Sequence, residues 1–324
     1  MYDESRVVSV NIYNFGFLSK SVEKSLIVIS GPTGIGKTDL ALILAKQFKT
    51  SIISADSRQI YQNFNIGTAK PTPEQLASVK HYFIDHLSPD SVYSAGQFAL
   101  EANDVLSSLF SKHNEVILCG GTGLYIKALV EGLDEFPEVD PEIRNEMNSL
   151  YDSYGLIALQ RQLAELDPVY YSTVDLNNPH RLIRALAVIK SSGKPFSFFT
   201  QNKVNRSRPY QLIEINLGIE RSLLYERIDR RVDNMILSGL IQEVESLLPY
   251  KDSPGMNTVG YKEILEYMNG TYDLNVAIEK IKQHSRNYAK RQITWFNKYS
   301  SAEIFHPEDL EGIQNYIEEK ILCK

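Results

Sequence analysis

The 324-residue chain has two cysteines, one tryptophan and no long apolar run. Cys119 and Cys323 are too few for a disulfide framework and lack the spacing of zinc ligands, so a reducing compartment is expected. No apolar stretch approaches the ~18–20 residues that span a bilayer. The first two dozen residues set Asp3, Glu4 and Arg6 ahead of a broken apolar pattern, which makes a poor secretion signal. The expectation is a cytoplasmic protein, monomeric and without a membrane partner. Excess basic charge is missing as well. The formal net charge of −6 excludes a basic nucleic-acid coat. Acids are missing locally, however. Between Asp175 and Glu214 every charge is basic (Arg181, Arg184, Lys190, Lys194, Lys203, Arg206, Arg208), and Lys280 to Lys298 is again free of acids. Either run alone reads equally well as a solvated helix face; two in one chain favour a polyanionic partner.

The most informative segment that is present is Gly31-Pro32-Thr33-Gly34-Ile35-Gly36-Lys37-Thr38. It follows an apolar run, Leu26 to Ile29, and precedes apolar residues at helical spacing, Leu40, Ala41, Ile43 and Leu44. Strand, glycine loop and helix together are the context in which such a loop cradles phosphate. Its backbone N–H groups converge on phosphate oxygens at a helix N-terminus, Lys37 reaches the leaving phosphates and the Thr38 hydroxyl suits Mg²⁺.

Further along, Ser51 to Ser54 reads as a short strand ending at Asp56, Ala95 to Phe110 as a helix, and Glu115 to Cys119 as a strand entering Gly120-Gly121-Thr122-Gly123. This alternation predicts an α/β fold: a parallel sheet covered by helices, with ligands at the carboxyl ends of the strands. From about residue 134 to Ser192 the pattern is helical, and Gly193-Lys194-Pro195 ends it. Tyr210 to Leu217 alternates like a strand that returns to the sheet. The expected organisation is an N-terminal extension (1–24), a first core segment (25–133), a helical insertion domain (134–205), and a return to the core with a helical C-terminal region (206–324).

A triphosphate hydrolase would place an acid at the end of a second strand, yet Val116 to Cys119 runs into glycines. Asp56 is the one carboxylate in position. It suits a general base beside the phosphates, or alternatively a helix cap or structural ion pair.

Several motifs occur in order after the phosphate loop: Asp56-Ser57-Arg58-Gln59-Ile60-Tyr61, Gly67-Thr68-Ala69-Lys70-Pro71, Gly120 to Tyr125, Arg181 to Leu186, Gly260-Tyr261-Lys262-Glu263 and Lys290-Arg291-Gln292-Ile293-Thr294-Trp295-Phe296. With them the chain resembles the tRNA dimethylallyltransferases, also called tRNA isopentenyltransferases, of the bacterial type. The eukaryotic members' C-terminal zinc finger has too few cysteines and histidines here to form.

The resemblance implies transfer of a dimethylallyl group from dimethylallyl diphosphate to N6 of the adenosine 3′ of a tRNA anticodon, with Mg²⁺ as cofactor and the anticodon stem-loop as partner. It implies a diphosphate site on Gly31, Pro32, Thr33, Gly34, Ile35, Gly36, Lys37, Thr38 and Arg231. Catalysis would rest on Asp56, Lys37, Thr38 and Arg231, with Thr38 at the metal. Contacts to tRNA would fall on Asp56, Ser57, Arg58, Gln59, Thr122, Arg144, His180, Arg181, Leu182, Ile183, Arg184, Val259, Gly260, Lys290 and Arg291. Trp295 and Phe296 read as core packing. Two other enzymes fit parts of the pattern: a nucleotide kinase, and an adenylate isopentenyltransferase acting on free AMP or ATP.

Overall fold

A computed structural model describes residues 24–134, 136–200 and 208–322. The N-terminal extension to residue 23, Lys203 and Arg206 of the first basic run, and Cys323 lie outside them. The chain order is β1 (Ser25–Ser30), α1 (Lys37–Gln47), β2 (Ile52–Ser54), α2 (Pro73–Ser78), β3 (His81–Tyr82), α3 (Ala95–Phe110), β4 (Glu115–Gly120) and α4 (Gly123–Val130). Four helices follow: α5 (Pro141–Leu166), α6 (Pro168–Tyr171), α7 (Pro179–Ser192) and α8 (Phe196–Thr200). The chain then forms β5 (Gln211–Leu217), α9 (Arg221–Leu237), α10 (Leu240–Ser246), α11 (Tyr261–Met268), α12 (Leu274–Tyr299), β6 (Glu303–Phe305) and α13 (Leu310–Leu322).

The strands make one six-stranded sheet in the order β3-β2-β4-β1-β5-β6, with every pairing parallel. The period of two along each strand divides the core between its faces. Leu26 and Val28 of β1 join Val116 and Leu118 of β4 on one face, with α3, α4 and α11. Ile27, Ile29, Ile117, Ile213 and Ile215 occupy the other, with α1, α9 and α13. Central strands covered on both sides read as unbroken apolar runs, as β1 does. β5 returns beside β1, as its alternation predicts. β3 and β6 are two and three residues long, too short for any periodicity to reveal.

The helices between β4 and β5 gather a separate apolar cluster around Met147, Leu159, Leu163, Leu182, Leu186 and Phe196. α7 begins at Asn178, whose side chain accepts from the Arg181 amide, and stops at Gly193 in the left-handed conformation (φ 67°). Asp167 ties the module together from within. Its carboxylate, 1% exposed, accepts from the Tyr170 amide at 2.9 Å, the Ser197 amide at 2.7 Å and the Ser197 hydroxyl at 2.9 Å. Replacing Asp167 with Ala leaves these donors unpaired and costs about 2–3 kcal/mol, measured by urea unfolding. The sheet and its glycine loop are left as they are, because the Asp167 carboxylate bonds within the helical module alone.

Candidate active site

The loop between β1 and α1 closes over the carboxyl edge of the sheet. Gly34 (φ 78°) and Gly36 (φ 106°) both take backbone conformations that side chains disfavour, and a Cβ on Gly34 would come within 3.0 Å of Ile228. Next to this loop the ends of β2 and β4 are stitched together. The Ala55 amide donates to the Cys119 carbonyl at 2.8 Å, and the Thr122 amide to the Ala55 carbonyl at 3.1 Å. A Cβ on Gly120 would lie 2.1 Å from the Ala55 oxygen, so only glycine permits this approach. The stitch brings Asp56 to the mouth of the loop.

The resulting cavity has a volume of about 290 Å³ and takes its walls from both halves of the chain. Thr33, Lys37 and Thr38 line it from the glycine loop, and Asp56, Arg58 and Gln59 from the end of β2. Ile228, Arg231, Val232 and Met235 come from α9, and Ile281, Ser285, Tyr288, Arg291 and Gln292 from α12. Val259 contributes from the turn before α11. One end is therefore cationic and the α9 wall largely apolar, which suits a ligand with an anionic head and a hydrocarbon tail.

Electrostatics sharpen this picture. Burial pulls the Lys37 ammonium down to about 8, with the like charge of Arg231 adding to the effect and Cys119 and Asp56 opposing it. Arg231 is lowered from its ordinary value by the same burial, opposed by Asp56. The Lys37 ammonium donates to the Pro32 carbonyl at 2.8 Å, and Arg231 donates to the Thr33 hydroxyl at 3.1 Å. Burial, with Lys37 opposing and Asp56 adding, pushes the Cys119 thiol up to about 12, so it is a packing group and not a nucleophile. Burial and the charge of Asp56 raise the Tyr288 hydroxyl to about 12. Asp56 acts partly as a cap: its Oδ1 accepts from the amides of Arg58 at 2.8 Å and Gln59 at 3.2 Å. Both bonds fall on one oxygen, and no described residue donates to Oδ2.

Among the described residues no group of three or more His, Cys, Asp or Glu side chains could hold a metal. Thr38 in the cavity wall fits Mg²⁺ in the other usual way, one protein oxygen supplemented by phosphate oxygens and water.

A family model described as IPP transferase matches residues 59–299. The chain belongs to the IPP transferase family. It is 48% identical to tRNA dimethylallyltransferase 1 of Bacteroides fragilis, over 92% of this chain and 99% of that one. It is also 48% identical to the tRNA dimethylallyltransferase of Christiangramia forsetii, over 91% and 98% of the two chains. Its fold matches the full-length tRNA isopentenylpyrophosphate transferase of Bacillus halodurans with a TM-score of 0.69 and 35% identity, covering 92% and 97%.

Within this IPP transferase, Lys37, Thr38, Asp56 and Arg231, expected at the catalytic step, line one cavity together with Thr33. Gly31, Pro32, Gly34, Ile35 and Gly36 shape the loop without lining that cavity, and the Ile35 side chain, 0% exposed, packs in the core under the sheet. The residues expected at tRNA divide. Asp56, Arg58, Gln59, Val259 and Arg291 line the cavity, and Ser57 is joined to Thr122 by its amide at 3.0 Å. Lys290 is exposed on the outer side of α12, and Arg144, His180, Arg181 and Arg184 are exposed on the insertion. Leu182 and Ile183 are corrected: at 0% and 7% exposure they pack in the insertion core, because helical spacing turns them away from Arg181 and Arg184. Gly260 is buried too; it starts α11 at φ 103°. Trp295 lies against Gly123, where a Cβ would come within 2.2 Å of its ring, and Phe296 is buried, so both are core residues as expected.

Sequence reasoning missed Glu243. Its carboxylate accepts from the amides of Asn65 (3.1 Å), Ile66 (2.8 Å) and Gly67 (3.1 Å) and from the Tyr261 hydroxyl (2.6 Å), fixing the loop whose Gly67, Thr68 and Ala69 line the cavity. No local signal marks a glutamate on a short amphipathic helix for such a role.

The lowered Lys37 sets a pH dependence for anion binding. Below pH 8 the ammonium is already formed; above it, a bound anion must recruit a proton. Affinity for an organic diphosphate, whose own last proton leaves near ~6, is therefore flat from pH 7 to 8 and falls toward tenfold per unit above 8. Calorimetry in buffers of different ionisation enthalpy reads the proton uptake, and pH-independent affinity up to 9.5 would contradict it.

Proposed function

We propose that this enzyme transfers a dimethylallyl group from dimethylallyl diphosphate to N6 of the adenosine 3′ of a tRNA anticodon, releasing diphosphate, in the cytoplasm. The observation that carries this reading is the cavity itself. Two half-buried cations, Lys37 and Arg231, flank a glycine loop at one end, a carboxylate with a free oxygen stands beside them, and α9 supplies Ile228, Val232 and Met235 for a hydrocarbon. The names of the relatives point the same way.

An adenine amine is a weak nucleophile, since its lone pair is delocalised into the ring. Asp56 Oδ2 takes the N6 proton as the new C–N bond forms, while Oδ1 stays engaged with the backbone and holds the carboxylate in place. Positive charge on the allylic carbon is delocalised, so the main demand is the charge leaving on the diphosphate. The loop amides, Lys37 and Arg231 receive it. Mg²⁺ beside Thr38 would supply further neutralisation of the phosphate oxygens. An adenine inside an anticodon loop is stacked, so the base must leave the stack to reach Asp56. Arg144, Arg181, Arg184, Lys290 and Arg291 hold the RNA backbone around that base.

The test is incubation with labelled dimethylallyl diphosphate, Mg²⁺ and unmodified tRNA, followed by nucleoside analysis. Prenylated adenosine should appear, and AMP should be a poor acceptor beside an anticodon stem-loop; equal rates on the two would move the enzyme to the free-nucleotide branch. Asp56→Asn should lower single-turnover transfer by roughly 10²-fold or more while tRNA binding changes far less. Replacing Lys290 and Arg291 together with Ala should reduce the slope of log affinity for tRNA against log salt by one to about two units. Fluorescence titration from 50 to 200 mM salt, roughly the range over which such slopes are read, measures it.

A further inference from the structure

The longest straight element beside the cavity, α12, spans 26 residues, about 39 Å at 1.5 Å per residue. Its cavity face carries Ile281, Ser285, Tyr288 and Gln292, at steps of three and four residues. Lys290, on the opposite side, is exposed, and Arg291 reaches the rim. Gln292 is 7% exposed and uses both ends of its carboxamide. Its Oε1 accepts from the Thr33 amide of the glycine loop at 2.8 Å, and its Nε2 donates to the Gly121 carbonyl just past β4 at 2.9 Å. Gly121 is shaped for it, since a Cβ there would lie 2.4 Å from the Gln292 nitrogen. Thr33 is held from the other side as well, by Arg231 on its hydroxyl.

We propose that Gln292 is a positioning residue for the diphosphate, clamping the glycine loop to the end of β4 from the same helix that presents Lys290 and Arg291 to RNA. The proposal rests on the diphosphate reading of the cavity given above. Gln292 lies 259 positions from Thr33 in sequence, so the clamp fixes the loop from outside its own segment. A loop whose amides must converge on phosphate oxygens loses affinity when one of its anchors is freed, because the anion then has to order it. Only a side chain with an acceptor and a donor on one planar group can satisfy both partners. A protonated carboxylic acid has that pair; a carboxylate does not.

The test compares wild type with Gln292→Met, which keeps the volume and loses both hydrogen bonds, and with Gln292→Glu. Binding of inorganic diphosphate with Mg²⁺, in the absence of RNA, is measured by calorimetry between pH 5.5 and 8, alongside thermal unfolding. For Gln292→Met, diphosphate affinity should fall about ten- to a hundredfold, equally at each pH, with tRNA affinity within a factor of two of wild type. For Gln292→Glu the deficit should be as large at pH 8 and shrink as pH falls and the introduced carboxyl takes up its proton. A purely volumetric role would give no such pH-dependent rescue. Wild-type diphosphate affinity in Gln292→Met, or a deficit in Gln292→Glu that does not change with pH, overturns the proposal. Diphosphate binding by wild type without prenyl transfer to tRNA overturns the proposed function alone, and no diphosphate binding by wild type overturns both.

Discussion

Two desolvated cations set the terms of this structure. Lys37 and Arg231 come from elements nearly two hundred residues apart, and each would be better hydrated almost anywhere else on the protein. Their desolvation, with like charges opposing each other, is unfavourable for the free protein. Asp56 offsets part of that charge without cancelling it. The parallel sheet makes the convergence possible, because its carboxyl edge brings the ends of β1, β2 and β4 together. Gly34, Gly36 and Gly120 let backbone approach where side chains would stand in the way.

The cavity's two chemistries follow from the division of labour between helices. α9 lines the cavity with Arg231 and, on the same stripe, with Ile228, Val232 and Met235. α12 supplies polar groups inside and basic groups outside.

Much of this was legible in the sequence because the signals are local. The glycine loop, Asp56 at a strand end, the return of β5 and the helical stretch that stops at Gly193 each rest on spacing within a few residues. Arg231 was legible only through resemblance, since an arginine in a charged helix carries no local mark of burial. Leu182 and Ile183 lie inside a contiguous motif, but α7 puts Arg181 and Arg184, three residues apart, on its outer face and turns the two residues between them into the core. Glu243 and Gln292 act across 176 and 259 positions respectively, and nothing in their immediate neighbourhoods records their partners. The short edge strands β3 and β6 exist by virtue of the strands beside them and have no pattern of their own.

The strand order also governs how the chain is assembled. β1 lies at the centre of the sheet, yet one of its two neighbours, β5, pairs with it across a separation of 186 residues at Ser30 and Asn216. During synthesis, β1 leaves the ribosome early and waits with one edge unpaired until β5 emerges. The helices between them gather their own cluster from nearby contacts, which form without the sheet. Until β5 pairs, the inner edge of β1 offers unpaired backbone groups of the kind that invite wrong strand pairing, so the fold depends on β5 arriving promptly.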